Sequence, residues 1–307
     1  MANLTPFGTL SDGRTVSAIH IAAGGSRATM IDYGARLVAY CLGDGPNAAV
    51  SSDIVGYEGP HRFTGPVVGP VINRIAGARA ELDGQALRFE VNEGGQNTLH
   101  SGGASTHALN WDVDAADSAR VAFAVALPGG AGGFPGNRRL TATYALDASG
   151  ALELELTAST DRLTLINPGH HGVWNPDGRG EPSDLTLEIP AERYLPTDPD
   201  KIPTGAVAPV DGTAYDHRVP RPPDPTLDHN FCFEAAMGLR ARLSGKSGRS
   251  LEVYSDAPGL QAYAGGSGGV ALEPQLWPDA PHHREFPSIV LRPGEIFRQR
   301  TRFVLTG

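Results

Sequence analysis

Hydrophobic and polar positions alternate with a period of two at several places along this chain. In RVAFAVALP (120–128), Val121, Phe123, Val125 and Leu127 fall on one face and alanines on the other. ALELELTAS (151–159) sets Leu152, Leu154 and Leu156 against Glu153 and Glu155. FRQRTRFVL (297–305) sets Phe297, Thr301 and Phe303 against Arg298, Arg300 and Arg302. Successive side chains of a strand point to opposite faces, so each run predicts an antiparallel strand with one buried and one wet face. LDGQ (82–85), LDASG (146–150) and SGKSGRS (244–250) carry the turn chemistry of hairpin ends. EAAMGLRARL (234–243) fits a helix or a strand, because Gly238 and the hairpin signal after it weaken the helical pattern. No repeat of solenoid or propeller length is visible. The proline-dense RVPRPPDPTLDHN (218–230) reads as a rigid surface loop, since similar strand patterns lie on both sides of it. The prediction is one all-β domain over residues 1–307, a large antiparallel β-sandwich.

Composition narrows this picture. The 39 glycines and 25 prolines are about a fifth of the 307 residues and leave little room for long helices. With 40% hydrophobic and 19% charged residues, the chain has the make-up of a globular protein and not of a disordered one. A net charge of −9 with scattered Lys and Arg argues against nucleic acid and anionic membrane as partners. Cys41 and Cys232 lie far apart without metal-type spacing, which argues against a disulfide framework and for a reducing compartment. MANLTPFGTL has neither a basic start nor an apolar h-region, and no apolar run approaches membrane-spanning length. The expected location is the cytoplasm.

Five short segments carry candidate chemistry. In VINRIAGARAELDG (71–84), Asn73 and Arg74 offer an amide beside a forked cation, suited to hydroxyls or a carboxylate, although a structural arginine would look the same. In NTLHSGG (97–103), His100 precedes a flexible Ser-Gly-Gly that lets a ligand approach the backbone; a lone histidine there is more often surface decoration. INPGHHGVWNPDG (166–178) places His170 and His171 in a loop whose prolines and glycines argue against regular strand pairing. If that stretch is extended, the two rings face opposite ways and one at most enters a given cavity. Metal binding is the rival use of the pair, with PHHRE (281–285) as a conceivable further source, but the spacing lacks the companions of a metal site. In TLDHNF (226–231), Asp228 follows a proline run and reads equally as a turn residue. In ALEPQLWPDAP (271–281), Glu273 ends an apolar run and enters what reads as a loop that proline keeps extended and rigid. Partial burial would raise its pKa toward the range of a general base, against the plainer reading of an ion-paired strand end.

Taken in order, these segments resemble the aldose 1-epimerase (galactose mutarotase) family over nearly the whole chain. NRIAGARAELDG is similar to that family's Asn-Arg-Ile-Ala-Gly loop and Leu-Asp-Gly turn, and NTLHSGG to its Leu-His-Gly-Gly segment. GGFPGNRRLTATYAL (132–146) resembles its Gly-(Phe/Tyr)-Pro-Gly element and HGVWNP (171–176) its His-x-Tyr-Phe-Asn-Leu loop. VDGTAYDHRVP (210–220), LDHNF and LEPQLWPDAPHHREFPSIVLRPGEIF (272–297) match further elements in register. The resemblance implies a β-sandwich of the galactose mutarotase type that interconverts the α and β anomers of a free aldose. His171 would be the general acid toward the ring oxygen and Glu273 the general base on the anomeric hydroxyl. Arg74, His100 and Asp228, with Asn73 beside them, would orient the sugar hydroxyls. No cofactor or metal is implied, the partner is a monosaccharide, and a monomer or a homodimer is expected.

The chain also departs from the pattern. His170 replaces the usual asparagine, Val173 and Trp174 replace Tyr-Phe, Ser101 is additional, and His217 replaces a phenylalanine. Changes in the histidine loop and beside His100 are expected to reshape the sugar pocket. Three alternatives stand beside the free-aldose reading. A hexose 6-phosphate substrate would call for an arginine cradle, for which GNRRL (136–140) is the candidate. The others are a non-catalytic sugar-binding domain on the same scaffold and a metal-dependent isomerase using the paired histidines.

Overall fold

A computed structural model describes residues 3–266 and 268–307. Two large antiparallel sheets face each other. The first has eight strands in the order Asp112–Ala116, Arg120–Leu127, Arg138–Leu146, Leu152–Thr160, Phe297–Thr306, Ser250–Ser255, Gly238–Ser244 and Thr186–Glu188. The second has six: Gly172–Trp174, Val270–Gln275, Gly259–Tyr263, Asp228–Cys232, Arg193–Tyr194 and Ala208–Pro209. A four-stranded sheet from Asn3–Thr9 to Arg36–Leu42 packs into the same core. This is the antiparallel β-sandwich that the alternation predicts. Its α-helical content among the described residues is one five-residue helix, Ile54–Glu58, capped by the Asp53 side chain.

The predicted strands form where the alternation places them. Val121, Phe123, Leu152, Leu154, Leu156 and Phe303 are all at most 2% exposed and lie in the core between the sheets. Burying each such side chain contributes about 1.5–3 kcal/mol. On the wet face, Glu153 pairs across the sheet with Arg302 and Glu155 with Arg300. These exposed charges set register and solubility more than stability. LDGQ closes a two-residue hairpin, with Asp83 and Gly84 both at positive φ (50° and 73°) and Leu82 paired with Gln85. The ambiguous stretch 234–243 resolves as the strand Gly238–Ser244, paired with Ser250–Ser255 around a bulge.

Two local expectations are corrected. The histidine segment is paired rather than irregular: Gly169–His170 pairs with Val67–Val68, and Gly172–Trp174 pairs with Val270–Gln275. Proline and glycine did not prevent pairing because each strand is only two or three residues long. Glu273 and Pro274 likewise lie inside the strand Val270–Gln275 and not in a rigid loop. The carboxylate is therefore held by the sheet on either side of it. Its cross-strand partner is Gln261.

Strand periodicity gives the six-stranded sheet two distinct faces. Trp174, Leu272, Val270, Leu260, Ala262 and Phe231 enter the core. Val173, Ala271, Glu273, Gln261, Tyr263 and Asp228, each one residue out of step, line a cavity on the other side. The core face meets the eight-stranded sheet through Trp174 and Phe303, 4.7 Å between centroids, and His170 from the adjoining two-stranded pair lies 5.7 Å from the same Phe303.

Candidate active site

The cavity on that outer face has a volume of about 510 Å³. Its wall holds all six residues singled out in the sequence: Asn73, Arg74, His100, His171, Asp228 and Glu273. They come from five separate stretches of chain, so the fold has gathered them. His171 Nε2 lies 3.4 Å from Glu273 Oε1, with side-chain exposures of 13% and 3%. The backbone of His171 is fixed at both ends, its N–H donating to the Pro66 carbonyl (2.9 Å) and its carbonyl accepting from Gly65 N–H (2.8 Å). Gly172 must be small, because a Cβ there would lie 2.5 Å from Trp174 Nε1 and 2.7 Å from His170 Cε1.

Asn73 and His100 hold one another. His100 N–H donates to the Asn73 carbonyl (3.0 Å), and Asn73 N–H donates to His100 Nδ1 (3.1 Å). Because Nδ1 accepts, the neutral ring carries its proton on Nε2. Both residues take left-handed backbone, with φ of 66° and 54°. Arg74 follows, its own N–H donating to Asn73 Oδ1 (2.9 Å). Its guanidinium makes a two-pronged contact with Glu93, at 2.9 Å from Nε and 2.9 Å from Nη2, and its Nη2 lies 3.5 Å from Asp228. Asp228 also accepts from Gln261 Nε2 at 2.6 Å. Phe63 packs against His100 at 4.5 Å and over His171 at 6.0 Å, giving the cavity an apolar ring beside its polar groups.

A sequence profile of the aldose 1-epimerase family matches residues 17–304. Rat galactose mutarotase is 34% identical to this chain, over 97% of each. This chain belongs to the aldose 1-epimerase family. Among solved structures, an aldose epimerase homologue from C. elegans superposes with a TM-score of 0.88 at 26% identity, over 95% of this chain and 99% of that one. A galactose 1-epimerase from Lactobacillus acidophilus gives 0.87 at 26% identity, over 100% and 98%. As an aldose 1-epimerase relative the chain is an isomerase, and its site has to account for proton movement at a sugar's anomeric centre.

The electrostatics of the cavity bear on that task. Burial pushes the Glu273 carboxyl well above its ordinary range; the Asp228 carboxylate adds to the rise and the Arg74 guanidinium opposes it. Burial also pulls the His171 imidazole down to about 4, against the stabilising pull of its own carbonyl. Both groups are thus driven toward their neutral forms, and burial alone puts the one proton they share on Glu273. His100 is held well below its usual value, chiefly by burial, so its neutral ring keeps the proton on Nε2.

The departures from the family pattern prove less disruptive to the pocket than their positions in sequence suggest. Only Val173 lines the cavity. His170 is 2% exposed and faces Tyr144, Trp174 and Phe303 in the core, so the two neighbouring imidazoles do point opposite ways. Trp174 is fully buried there as well. The additional Ser101 is 1% exposed and ties its hydroxyl to both the N–H and the carbonyl of Val71. His217 sits beside the Leu187 carbonyl, away from the cavity. The arginines of GNRRL are also elsewhere: Arg138 is buried against the Pro128 carbonyl and Arg139 pairs with Asp114. His282 and His283 both engage Asp279, whose carboxylate also accepts Ala76 N–H (2.9 Å) and so braces the Arg74 loop.

Sequence reasoning missed Gln261, Glu93 and Phe63. Gln261 was findable in principle: it is a polar residue inside the apolar run GLQAYA, and one face of that strand had to meet Glu273. Glu93 and Phe63 carry no local signal.

Proposed function

We propose that this chain interconverts the α and β anomers of a free monosaccharide by acid–base ring opening, with His171 as general acid and Glu273 as general base. The observation that carries this reading is the 3.4 Å approach of His171 Nε2 and Glu273 Oε1 in the wall of one cavity. The anomeric hydroxyl, donating to Glu273, favours the carboxylate and moves the shared proton to His171. His171 then gives that proton to the ring oxygen as the bond from C1 to that oxygen breaks. Glu273 takes the hydroxyl proton as C1 becomes the aldehyde. Rotation about the C1–C2 bond presents the other carbonyl face. On reclosure His171 recovers its proton and Glu273 returns the other to O1, so every proton is accounted for. Each positioned proton transfer is worth about 10²–10⁴-fold.

Arg74, Asp228, Gln261 and His100 Nε2 would hold the remaining hydroxyls. Arg74 is the arginine of the cavity wall, and it already faces the carboxylates of Glu93 and Asp228. A dianionic phosphate in the cavity would meet the Asp228 carboxylate and an Arg74 already neutralised by Glu93 from behind, which favours an uncharged sugar. The test is anomer interconversion of glucose, galactose, xylose and arabinose by polarimetry or NMR, beside their phosphorylated counterparts where these exist. Binding without turnover would overturn the proposal, as would a preference for the phosphates.

A pH profile follows from the shared proton. Below a pH near 4 the imidazole gains a second proton for the pair; well above the ordinary glutamate value the carboxyl loses the last one. Between those limits the pair holds one proton, so kcat/KM is expected to be bell-shaped, with its acid limb near 4. The limb is read after subtracting the spontaneous rate. An acid limb at the ordinary imidazole value would contradict it.

A further inference from the structure

We infer that Glu93 is a positioning residue: its carboxylate grips one edge of the Arg74 guanidinium so that the remaining nitrogen, Nη1, is presented to substrate oxygens. This rests on the sugar-binding reading above. Glu93 does not line the cavity and touches no reacting group, so it acts through Arg74. Its two oxygens meet Nε and Nη2 at 2.9 Å each, a forked geometry that fixes the plane of the guanidinium. Nη2 then leans toward Asp228 at 3.5 Å, while Nη1 has no hydrogen-bond partner among the described residues. Side-chain exposures of 13% and 26% set the pair apart from the solvent-exposed ion pairs of the outer sheet face.

The mount is built to hold this geometry. Glu93 sits in a tight turn in which its carbonyl accepts from Gln96 and Asn97 N–H, at 3.2 and 2.9 Å. Asn92 beside it clasps Leu99 from both sides, Oδ1 accepting Leu99 N–H (2.7 Å) and Nδ2 donating to the Leu99 carbonyl (3.0 Å). Leu99 pairs directly with Arg74 and immediately precedes His100. Both halves of the ion pair therefore rest on one small paired unit, and that unit also sets His100.

Charge gives a second readout. The charged and titratable groups facing Glu273 are His171 from the residue just before the neighbouring strand Gly172–Trp174, Asp228 from the sheet and Arg74 from across the cavity. Removing the Glu93 charge leaves Arg74 less compensated, and the added positive potential favours deprotonation of both Glu273 and His171.

The experiment compares Glu93→Gln and Glu93→Asp with the parent protein, using steady-state epimerisation across pH and sugar binding by calorimetry. Glu93→Gln is expected to raise KM and Kd about ten- to a hundredfold, with a smaller change in kcat, and to move both pH limbs toward acid. Glu93→Asp keeps the charge but not the reach, so KM rises while the limbs stay at the parental pH. A folded Glu93→Gln protein with parental KM and parental limbs overturns the inference. Should Glu93→Gln not fold, parental KM in Glu93→Asp overturns it instead. A parent protein that binds sugar without turnover sinks the epimerase reading alone, because the Kd values still report on Arg74.

Discussion

Glu273→Gln is expected to lower kcat by about 10²–10⁴-fold while leaving KM within a few-fold of the parent. The substitution is nearly isosteric, so it removes the proton acceptor without opening a cavity. Its neighbours barely need to move, since Glu273 Oε2 has no hydrogen-bond partner among the described residues. Glu273 is 2% exposed and burial already favours its protonated form, so a neutral amide should be tolerated there. Melting temperature is therefore expected to equal or exceed the parental one, which separates loss of chemistry from loss of fold. His171→Ala should fall by a similar factor. The double variant should be little slower than either single one, because half of an acid–base pair retains little of the pair's function. Stopped-flow polarimetry on purified, folded variants decides it. Near-parental turnover in Glu273→Gln would remove the carboxylate from the mechanism.

The second large effect is on stability. Trp174→Ala is expected to cost about 3–5 kcal/mol, the range for truncating a fully buried large aromatic side chain. Trp174 is 0% exposed, packs at a tilt against Phe303 across the two sheets and closes over Gly172 on its own strand. No small rearrangement fills the resulting void, because Gly172 has no side chain to offer and His170 is already packed against Phe303 and Tyr144. The strand that loses its anchor is the one that begins immediately after His171. Activity should thus decline together with stability, unlike Glu273→Gln, where the two separate. Urea unfolding followed by circular dichroism supplies the measurement. A loss below about 1 kcal/mol, the ordinary effect of a surface change, would show that this inter-sheet contact is dispensable.

The architecture was legible because its information is local. Period-two alternation in 120–128, 151–159 and 297–305 reports burial directly, and Asp83-Gly84 supplies the positive φ that a two-residue hairpin needs. The site was legible through its motifs, which named six residues that the fold brings to one cavity. What stayed hidden depends on pairing between distant segments. Glu273 looked like a loop residue because Pro274 follows it, yet its strand neighbour Gln261 lies elsewhere in the sequence. The effects expected from Trp174 and Ser101 failed for the same reason, since proximity to a motif does not say which face a side chain occupies. Glu93 shows the limit most sharply: its meaning lies wholly in the position of Arg74, 19 residues earlier in the chain.

The two-sided use of the six-stranded sheet has an evolutionary corollary. Each residue of the cavity floor sits between neighbours committed to the interior, so a backbone shift that enlarged the floor would also unseat Trp174 or Leu272. New sugar preferences are then most accessible through segments that the sheet does not own. The 60–64 stretch carrying Phe63 is one, and the glycines after Tyr263 are another. Descendants of this scaffold should keep the floor nearly invariant while their borders drift.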